Sequence, residues 1–272
     1  MPTLVHISDL HFGRDVPAVT ATLLAQLRDL NPDCVIISGD LTQRATGAQY
    51  RAARQFLDQL HWPHVVIPGN HDLPGVDLWT RFVRPWRRWR RYLDLPLEPY
   101  LRAEGYRIAG VNTARSAGFY LDWSRGRINR SQTGLIASRF AGAPEGDLRI
   151  VVAHHPFWLP DVQRHRGLIY RRDAALQAFA DTGVDLVLSG HVHLPYTRLL
   201  NGVIISHAGT TLSNRLLPDQ PNSFNLIRGD RGALQINTWC WDGHRFTDKV
   251  RHDYVRDAGA WQAYDDAREP SL

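Results

Sequence analysis

Ten residues of this 272-residue chain carry the imidazole, carboxylate and amide groups that bind transition metals: Asp9, His11, Asp40, Asn70, His71, Asp72, His154, His155, His191 and His193. They fall in short runs: Ser8-Asp9-Leu10-His11, Gly39-Asp40-Leu41-Thr42, Pro68-Gly69-Asn70-His71-Asp72, His154-His155-Pro156 and Ser189-Gly190-His191-Val192-His193. Nitrogen and oxygen donors of this kind suit Mn, Fe or Zn. No cysteine accompanies them, which argues against a structural zinc site. Extended chain sends residues i and i+2 to the same side, so Asp9/His11 and His191/His193 can each aim two side chains into one pocket. By the same rule His154 and His155 point apart, and one of the two is the ligand. Each fragment alone is commonplace: a lone Gly-Asp is an ordinary turn, and Asp-x-His is unremarkable at a strand end. The conjunction, in order and always beside an apolar run, is what points to chemistry.

The elements that must hold these runs are legible from apolar patterning. Leu4–Ser8, Cys34–Ser38 and Val65–Ile67 read as strands, separated by helices over Pro17–Leu30 and Ala45–Leu60. That βαβαβ order implies parallel strands joined by right-handed crossovers. Regularity returns with a strand at Arg107–Asn112, a helix at Gln132–Phe140, a strand at Arg149–Ala153, a helix at Arg172–Asp181 and a strand at Asp185–Ser189. From Tyr196 onward the pattern is an antiparallel meander, with turns at Asn201-Gly202 and at Gly229-Asp230-Arg231-Gly232. The metal-binding residue types thus sit at the carboxyl ends of strands, where open α/β sheets place their sites.

Composition narrows the class. With 43% hydrophobic and 22% charged residues the chain reads as a soluble globular α/β protein, not as a disordered, collagen-like or disulfide-built one. Cys34 and Cys240 cannot form a disulfide framework, and Cys34 lies in an apolar run where a buried thiol is expected. No run of about 18 apolar residues occurs, and the first residues read as a strand, not a leader; a cytoplasmic location is the expectation. The net charge is +5, and of the 32 cationic residues only Lys249 is a lysine.

The five runs resemble the five motif blocks of the calcineurin-like metallophosphoesterase superfamily, and extend from residue 8 to residue 193. The resemblance implies an α/β fold, a four-layer α/β/β/α sandwich around a two-metal centre. It assigns Asp9, His11 and His193 to one metal, Asn70, His154 and His191 to the other, and Asp40 to both. His154 is preferred to His155 because the family's ligand precedes a residue and then proline, as in His154-His155-Pro156. The implied cofactors are two divalent transition-metal ions, Mn and Fe first, with Zn or Co as alternatives. Catalysis would be attack by a metal-bridging hydroxide, which leaves the inner shell near about +1 and attractive to phosphate. His71 would face the scissile phosphate, stabilising the transition state or protonating the leaving alkoxide, with Asp72 orienting it.

Departures from subgroup patterns narrow the substrate. Protein serine/threonine phosphatases carry Asp-Arg-Gly after the second block, whereas Asp40 is followed by Leu41-Thr42-Gln43-Arg44. Purple acid phosphatases place a tyrosine where this chain has Gln43. Gly39-Asp40-Leu41-Thr42 with Gly69-Asn70-His71-Asp72 is most similar to the bacterial cyclic-nucleotide-type (class III) phosphodiesterases. A small-molecule phosphodiester is therefore the expected substrate.

Residues 76–101 interrupt the pattern and read as an inserted Trp/Arg-rich helical cap within a domain spanning 1–252, followed by a polar, partly ordered tail over 253–272. Trp79, Phe82, Trp86 and Trp89 recur at helical spacing, interleaved with Arg81, Arg84, Arg87, Arg88, Arg90 and Arg91. Pro85 divides two helical pieces or opens the second. The aromatics of Trp79–Tyr92 either pack on the sandwich or meet an anionic membrane surface or lipid at the inner face of the membrane. The second option resembles the caps of the lipid A pathway hydrolases that cleave UDP-diacylglucosamine, a pyrophosphate bond, although those carry Arg where this chain has His71. Phe12, Phe119, Tyr120, Phe157 and Trp158 lie near the motifs and could wall an apolar pocket, and Gly118–Trp123 could form a homodimer patch. A nuclease is a weaker reading, because no nucleic-acid-binding module accompanies the arginines. A metal-free interaction module is opposed by the unbroken ligand set.

Overall fold

Short runs of Val, Ile and Leu that are apolar at every position form strands covered on both faces, and two stacks of them organise this chain. A computed structural model describes residues 1–116 and 125–264. In chain order the elements are β1 (Thr3–Ile7), α1 (Pro17–Leu30), β2 (Cys34–Ile37), α2 (Gly47–Leu57), β3 (His64–Val66), α3 (Leu78–Val83), α4 (Arg87–Tyr92), β4 (Tyr100–Ala103) and β5 (Tyr106–Val111). There follow α5 (Arg130–Phe140), β6 (Leu148–Ala153), α6 (Arg172–Thr182), β7 (Leu186–Ser189), β8 (Tyr196–Leu200), β9 (Val203–His207), β10 (Ser223–Gly229), β11 (Ala233–Trp241), β12 (Phe246–Asp257) and β13 (Ala260–Ala263).

One sheet has the order β13-β12-β11-β10-β1-β2-β3, the other β4-β5-β6-β7-β9-β8. Side-chain alternation along each strand feeds two layers. Leu4, Cys34 and Ile36 of the first sheet meet Ile108, Ile150, Val152, Leu186 and Ile204 of the second, forming the layer between the sheets. Val5, Ile7, Val35 and Ile37 turn outward to Val19, Leu23 and Leu27 of α1 and to Tyr50, Phe56 and Leu57 of α2. Ala109, Val151, Val187 and Ile205 turn outward to Ile136 and Phe140 of α5 and Leu176 and Phe179 of α6. The result is the expected helix–sheet–sheet–helix sandwich. Each fully buried Leu, Ile, Val or Phe contributes about 1.5–3 kcal/mol.

Local sequence fixes the helix ends. Pro17 opens α1, where its missing N–H is no loss, and Asn31 closes it in a left-handed conformation. Thr46 and Gln49 cap α2 reciprocally. Burial pushes the Cys34 thiol up to about 12, as a core cysteine requires.

Three expectations change. The meander after Tyr196 is divided between the sheets: β8 and β9 form a hairpin whose β9 pairs in parallel with β7, whereas β10 joins β1 and carries β11 to β13. Residues beyond 252 are not a tail throughout, since β12 runs to Asp257 and β13 adds the edge strand. Asp185, fully buried, holds that edge through Arg231, Arg256 and the Trp261 indole N–H. Third, the cap aromatics do not form one stripe. The break at Arg84–Trp86 separates α3 from α4: Trp89 is fully buried against the α2 side of the core, whereas Trp79 is 78% exposed. Arg81 is buried and donates to the carbonyls of Pro74, Arg115 and Ser116. Among the described residues, no helix is long and apolar enough to cross a membrane.

Candidate metal centre

The motif runs occupy the loops after β1, β2, β3, β6 and β7, at the carboxyl ends of parallel strands from both sheets. The sandwich therefore brings together residues 182 positions apart, as in the His11–His193 pair. The backbone route differs from simple strand alternation. Asp9, His11, Asp40, His191 and His193 all have positive φ, at 51°, 47°, 52°, 76° and 60°. Such conformations cost a side-chain-bearing residue of order 1–3 kcal/mol each and persist only where the surroundings hold them. Here Asp9 N–H donates to the Gly39 carbonyl at 3.1 Å, His11 N–H to the Asp40 carbonyl at 3.0 Å and His191 N–H to Asp9 Oδ2 at 2.9 Å. The Asp9/His11 and His191/His193 pairs thus converge through left-handed turns, not along extended chain.

Two clusters result. Asp9, His11 and His193 form one and Asp40, His154 and His191 the other, every residue buried and each cluster's donor atoms within 4.8 Å of one another. His193 Nε2 lies 3.2 Å from Asp9 Oδ1 and 3.1 Å from His11 Nε2. Asn70 Oδ1 joins the second cluster, 3.2 Å from His154 Nε2 and 3.0 Å from His191 Nδ1. Asp40 Oδ2 reaches both, at 3.3 Å from His154 Nε2 and 3.9 Å from His11 Nε2.

The donor set calls for cations. His154 Nδ1 donates to the Ser38 carbonyl at 2.8 Å and His193 Nδ1 to the Arg215 carbonyl at 2.7 Å, so each Nε2 turns a lone pair inward. Among the described residues, no hydrogen-bond donor meets buried Asp9 Oδ1. Lone pairs and carboxylate oxygens thus face one another. The titration directions agree. Burial opposes ionisation of Asp40, but the imidazoles of His154, His71 and His11 hold its carboxyl well below the usual range. Burial likewise opposes charge on His154, yet Asp40 and then Asp9 hold it up to about 9: the carboxylates draw a proton onto the inward Nε2 lone pair, the place a cation would take. Burial lowers His11 to about 3 and His191 well below the ordinary imidazole value, leaving them neutral donors.

The neighbouring groups are also placed. His71 N–H donates to Asp40 Oδ1 at 2.8 Å, and its Nδ1 donates to the Gln43 carbonyl at 2.9 Å, which turns Nε2 toward the first cluster. Its orienter is therefore Gln43. Asp72 instead accepts the N–H groups of Leu41, Thr42 and Gly69 and the Thr42 hydroxyl, tying the second and third motif loops together. Burial, then the charge of Asp40, raises the Asp72 carboxyl. His155 turns away to Thr113 Oγ1 at 2.7 Å, in keeping with His154 as the inward-facing member. Phe12 and Phe157 are core residues, not pocket walls. Trp158 packs on Tyr196 under the Arg198 guanidinium. Phe119, Tyr120 and the Gly118–Trp123 patch lie outside the described residues.

Two features had no motif to announce them. Arg215, in the loop between β9 and β10, reaches His71 Nε2 at 3.1 Å and His11 Nε2 at 3.2 Å. A buried chain also runs from His6 Nε2 through Ser38 Oγ and Ser8 Oγ to Asp9 Oδ2, in steps of 2.8, 2.8 and 2.7 Å. The available signals were faint: a lone arginine after a strand end, and polar residues inside otherwise apolar runs.

The family model for calcineurin-like phosphoesterases matches residues 2–195. A cAMP/cGMP dual specificity phosphodiesterase of Mycobacterium tuberculosis is 30% identical over 93% of this chain and 78% of its own length. A probable glycerophosphodiester phosphodiesterase of Arcobacter nitrofigilis is 26% identical over 87% of this chain and 88% of its own. Among solved structures, a purple acid phosphatase from yellow lupin seeds superposes with a TM-score of 0.64 at 15% identity over 92% of this chain. This chain spans 53% of that plant protein, and the likeness is one of fold.

Proposed function

Because this chain belongs to the calcineurin-like phosphoesterase family and is thereby a metal-dependent phosphoester hydrolase, we propose that it cleaves small-molecule phosphodiesters at a centre of two divalent metals. Asp9, His11 and His193 would hold one ion, Asn70, His154 and His191 the other, and Asp40 both. The observation that carries this reading is the position of Asp40 Oδ2, within 3.9 Å of a donor nitrogen in each cluster. Two ions so held would supply Lewis acidity and an activated water. Nitrogen and oxygen donors without thiolate favour Mn or Fe, with Zn or Co as alternatives.

The chain's own residues set the geometry. Ser38 and Arg215 carbonyls fix the tautomers of His154 and His193, and Asp72 fixes the separation of the Asp40 and Asn70 loops. His71 stands at the rim of the first cluster, beside the position a phosphate would take. Both the cyclic nucleotide and the glycerophosphodiester enzymes named above act on phosphodiesters, which supports that class over monoesters. The test is to compare bis(p-nitrophenyl) phosphate, p-nitrophenyl phosphate, 2′,3′- and 3′,5′-cyclic nucleotides and glycerophosphodiesters on protein reconstituted with Mn or Fe. A diester preference is expected, and a monoester preference would overturn the reading.

One observation favours a lipid-linked substrate as a second reading: Trp79, Leu78, Phe82 and Val83 of α3 are exposed and followed by Arg84 and Arg87. Co-sedimentation with vesicles containing anionic lipid tests it, and Trp79→Ser should release the protein. Equal pelleting of both forms, or of neither, would remove this reading.

A further inference from the structure

Guanidiniums that reach into this protein meet carboxylates or main-chain carbonyls: Arg231 and Arg256 meet Asp185, Arg107 meets Asp147, and Arg81 and Arg139 meet carbonyl oxygens. Arg215 differs. Among the described residues its side chain meets imidazole nitrogens, with Nη1 3.1 Å from His71 Nε2, 3.2 Å from His11 Nε2 and 3.5 Å from His11 Nδ1. A guanidinium has only N–H donors and a fixed positive charge, so it cannot ligate a metal. A cation aimed at the donor atoms of a metal cluster is sustained when an anion lies between the two positive centres. On the reading proposed above, the anion that arrives there is the phosphoryl group.

We propose that Arg215 is the residue that contacts the substrate's phosphate, donating from its guanidinium to a non-bridging oxygen, and that His71 positions it. The direction of the His71 bond supports the second half. His71 Nδ1 donates to the Gln43 carbonyl, and Nε2, facing a group that can only donate, accepts from Arg215. Arg215 therefore presents N–H groups toward the substrate at this rim, beside His71.

The backbone of residue 215 is held by the site it serves. Its carbonyl accepts His193 Nδ1 at 2.7 Å, and its N–H donates to Ser213 Oγ at 3.2 Å. Ser213 is held in turn by Thr210 Oγ1 at 2.7 Å and by Asn222 Nδ2, which donates to its carbonyl at 2.8 Å. The same residue thus sets one ligand's tautomer through its main chain and offers a phosphate donor through its side chain. Because the two duties use different atoms, side-chain substitution separates them.

The experiment is calorimetric titration of inorganic phosphate into Mn-loaded wild type, Arg215→Lys and Arg215→Gln, with bound metal counted on the same samples and diester KM and kcat recorded in parallel. A charge-assisted contact of this kind predicts that Arg215→Gln weakens phosphate about 10- to 100-fold. Both metals should remain and the thermal midpoint should be unchanged, with Arg215→Lys intermediate. For His71, the double-mutant cycle with Arg215→Gln is decisive: His71→Gln should weaken phosphate in wild type and have little further effect once Arg215 is replaced. Wild-type phosphate affinity in metal-replete Arg215→Gln would overturn the assignment. So would loss of metal together with phosphate, since the side chain would then serve the ions and not the substrate. Wild type that holds two metals and hydrolyses diesters, beside variants that bind phosphate equally well, would refute the role of Arg215 alone. Wild type that neither holds metal nor binds phosphate would overturn the phosphodiesterase reading and this inference together.

Discussion

Gly69→Ala tests how tightly the second and third motif loops are fitted around Asp40. Gly69 has φ of −109°, a conformation open to any residue, so its backbone does not demand glycine. The demand is steric. A Cβ there would run into Asp40 Oδ1 and lie 2.5 Å from the Asp40 backbone nitrogen. Non-bonded carbons settle at about 3.5 Å or more, so the Asp40 loop or the Gly69–Asp72 turn must give by about 1 Å. Both are tied through Asp72, which accepts N–H groups from Gly69, Leu41 and Thr42, so neither moves alone. Overpacking of this kind costs about 1–3 kcal/mol of stability, and a 1 Å misplacement near reacting groups costs about 100-fold in rate. The assay is turnover of bis(p-nitrophenyl) phosphate with metal content measured after dialysis. Gly75→Ala serves as control, because a Cβ there meets nothing within 4 Å. Gly69→Ala with wild-type turnover and wild-type metal content would show that the two loops are not tightly fitted around Asp40.

Three further outcomes are expected. Burial lowers His6 from 6.5 to about 3, so the folded protein keeps it neutral while the unfolded chain takes up a proton as pH falls below 6.5. The stability it contributes is complete above that value and declines through the window down to about 3, by about 2 kcal/mol at pH 5. His6→Gln should flatten that acid limb in urea unfolding, and parallel curves for the two proteins would contradict this. Gly134 lies inside α5 with open space around its missing Cβ. Gly134→Ala should therefore raise stability by about 0.5–1 kcal/mol in the same assay, and a lowered midpoint would count against the helix there. Asp185→Ala leaves Arg231, Arg256 and the Trp261 indole without their shared acceptor. It should cost about 3–5 kcal/mol and speed hydrogen exchange first in β12 and β13, whereas uniform exchange would show that Asp185 does not hold that edge.

The parallel strands were legible because every position in Cys34–Ile37 and in 186–188 is apolar, the pattern of a strand covered on both faces. The convergence of Asp9, Asp40, Asn70, His154, His191 and His193 was legible because each lies just past such a run, where sheet topology leaves an open edge. What could not be read was geometry set by distant partners. Left-handed φ at Asp9, His11 and His191 depends on hydrogen bonds from other loops, which no local pattern records. Spacing alone joined Trp79 to Trp89 in one stripe, because periodicity does not show that the helix breaks between Arg84 and Trp86 or which aromatic finds the core. Arg215 lies 22 residues past His193 and enters the site only because β9 pairs beside β7. The strands past residue 252 were hidden for the opposite reason: an edge strand needs few apolar residues when Asp185 holds it through charge.

A two-ion centre bridged by Asp40 is tested most directly by the number of ions bound per chain, counted by mass spectrometry of the reconstituted protein with diester turnover recorded on the same samples. Wild type should hold two ions, lose turnover on chelation and regain it with metal, and Asp40→Ala should lose both ions and activity. Turnover that survives chelation, or Asp40→Ala that retains two ions and near-normal activity, would contradict such a centre.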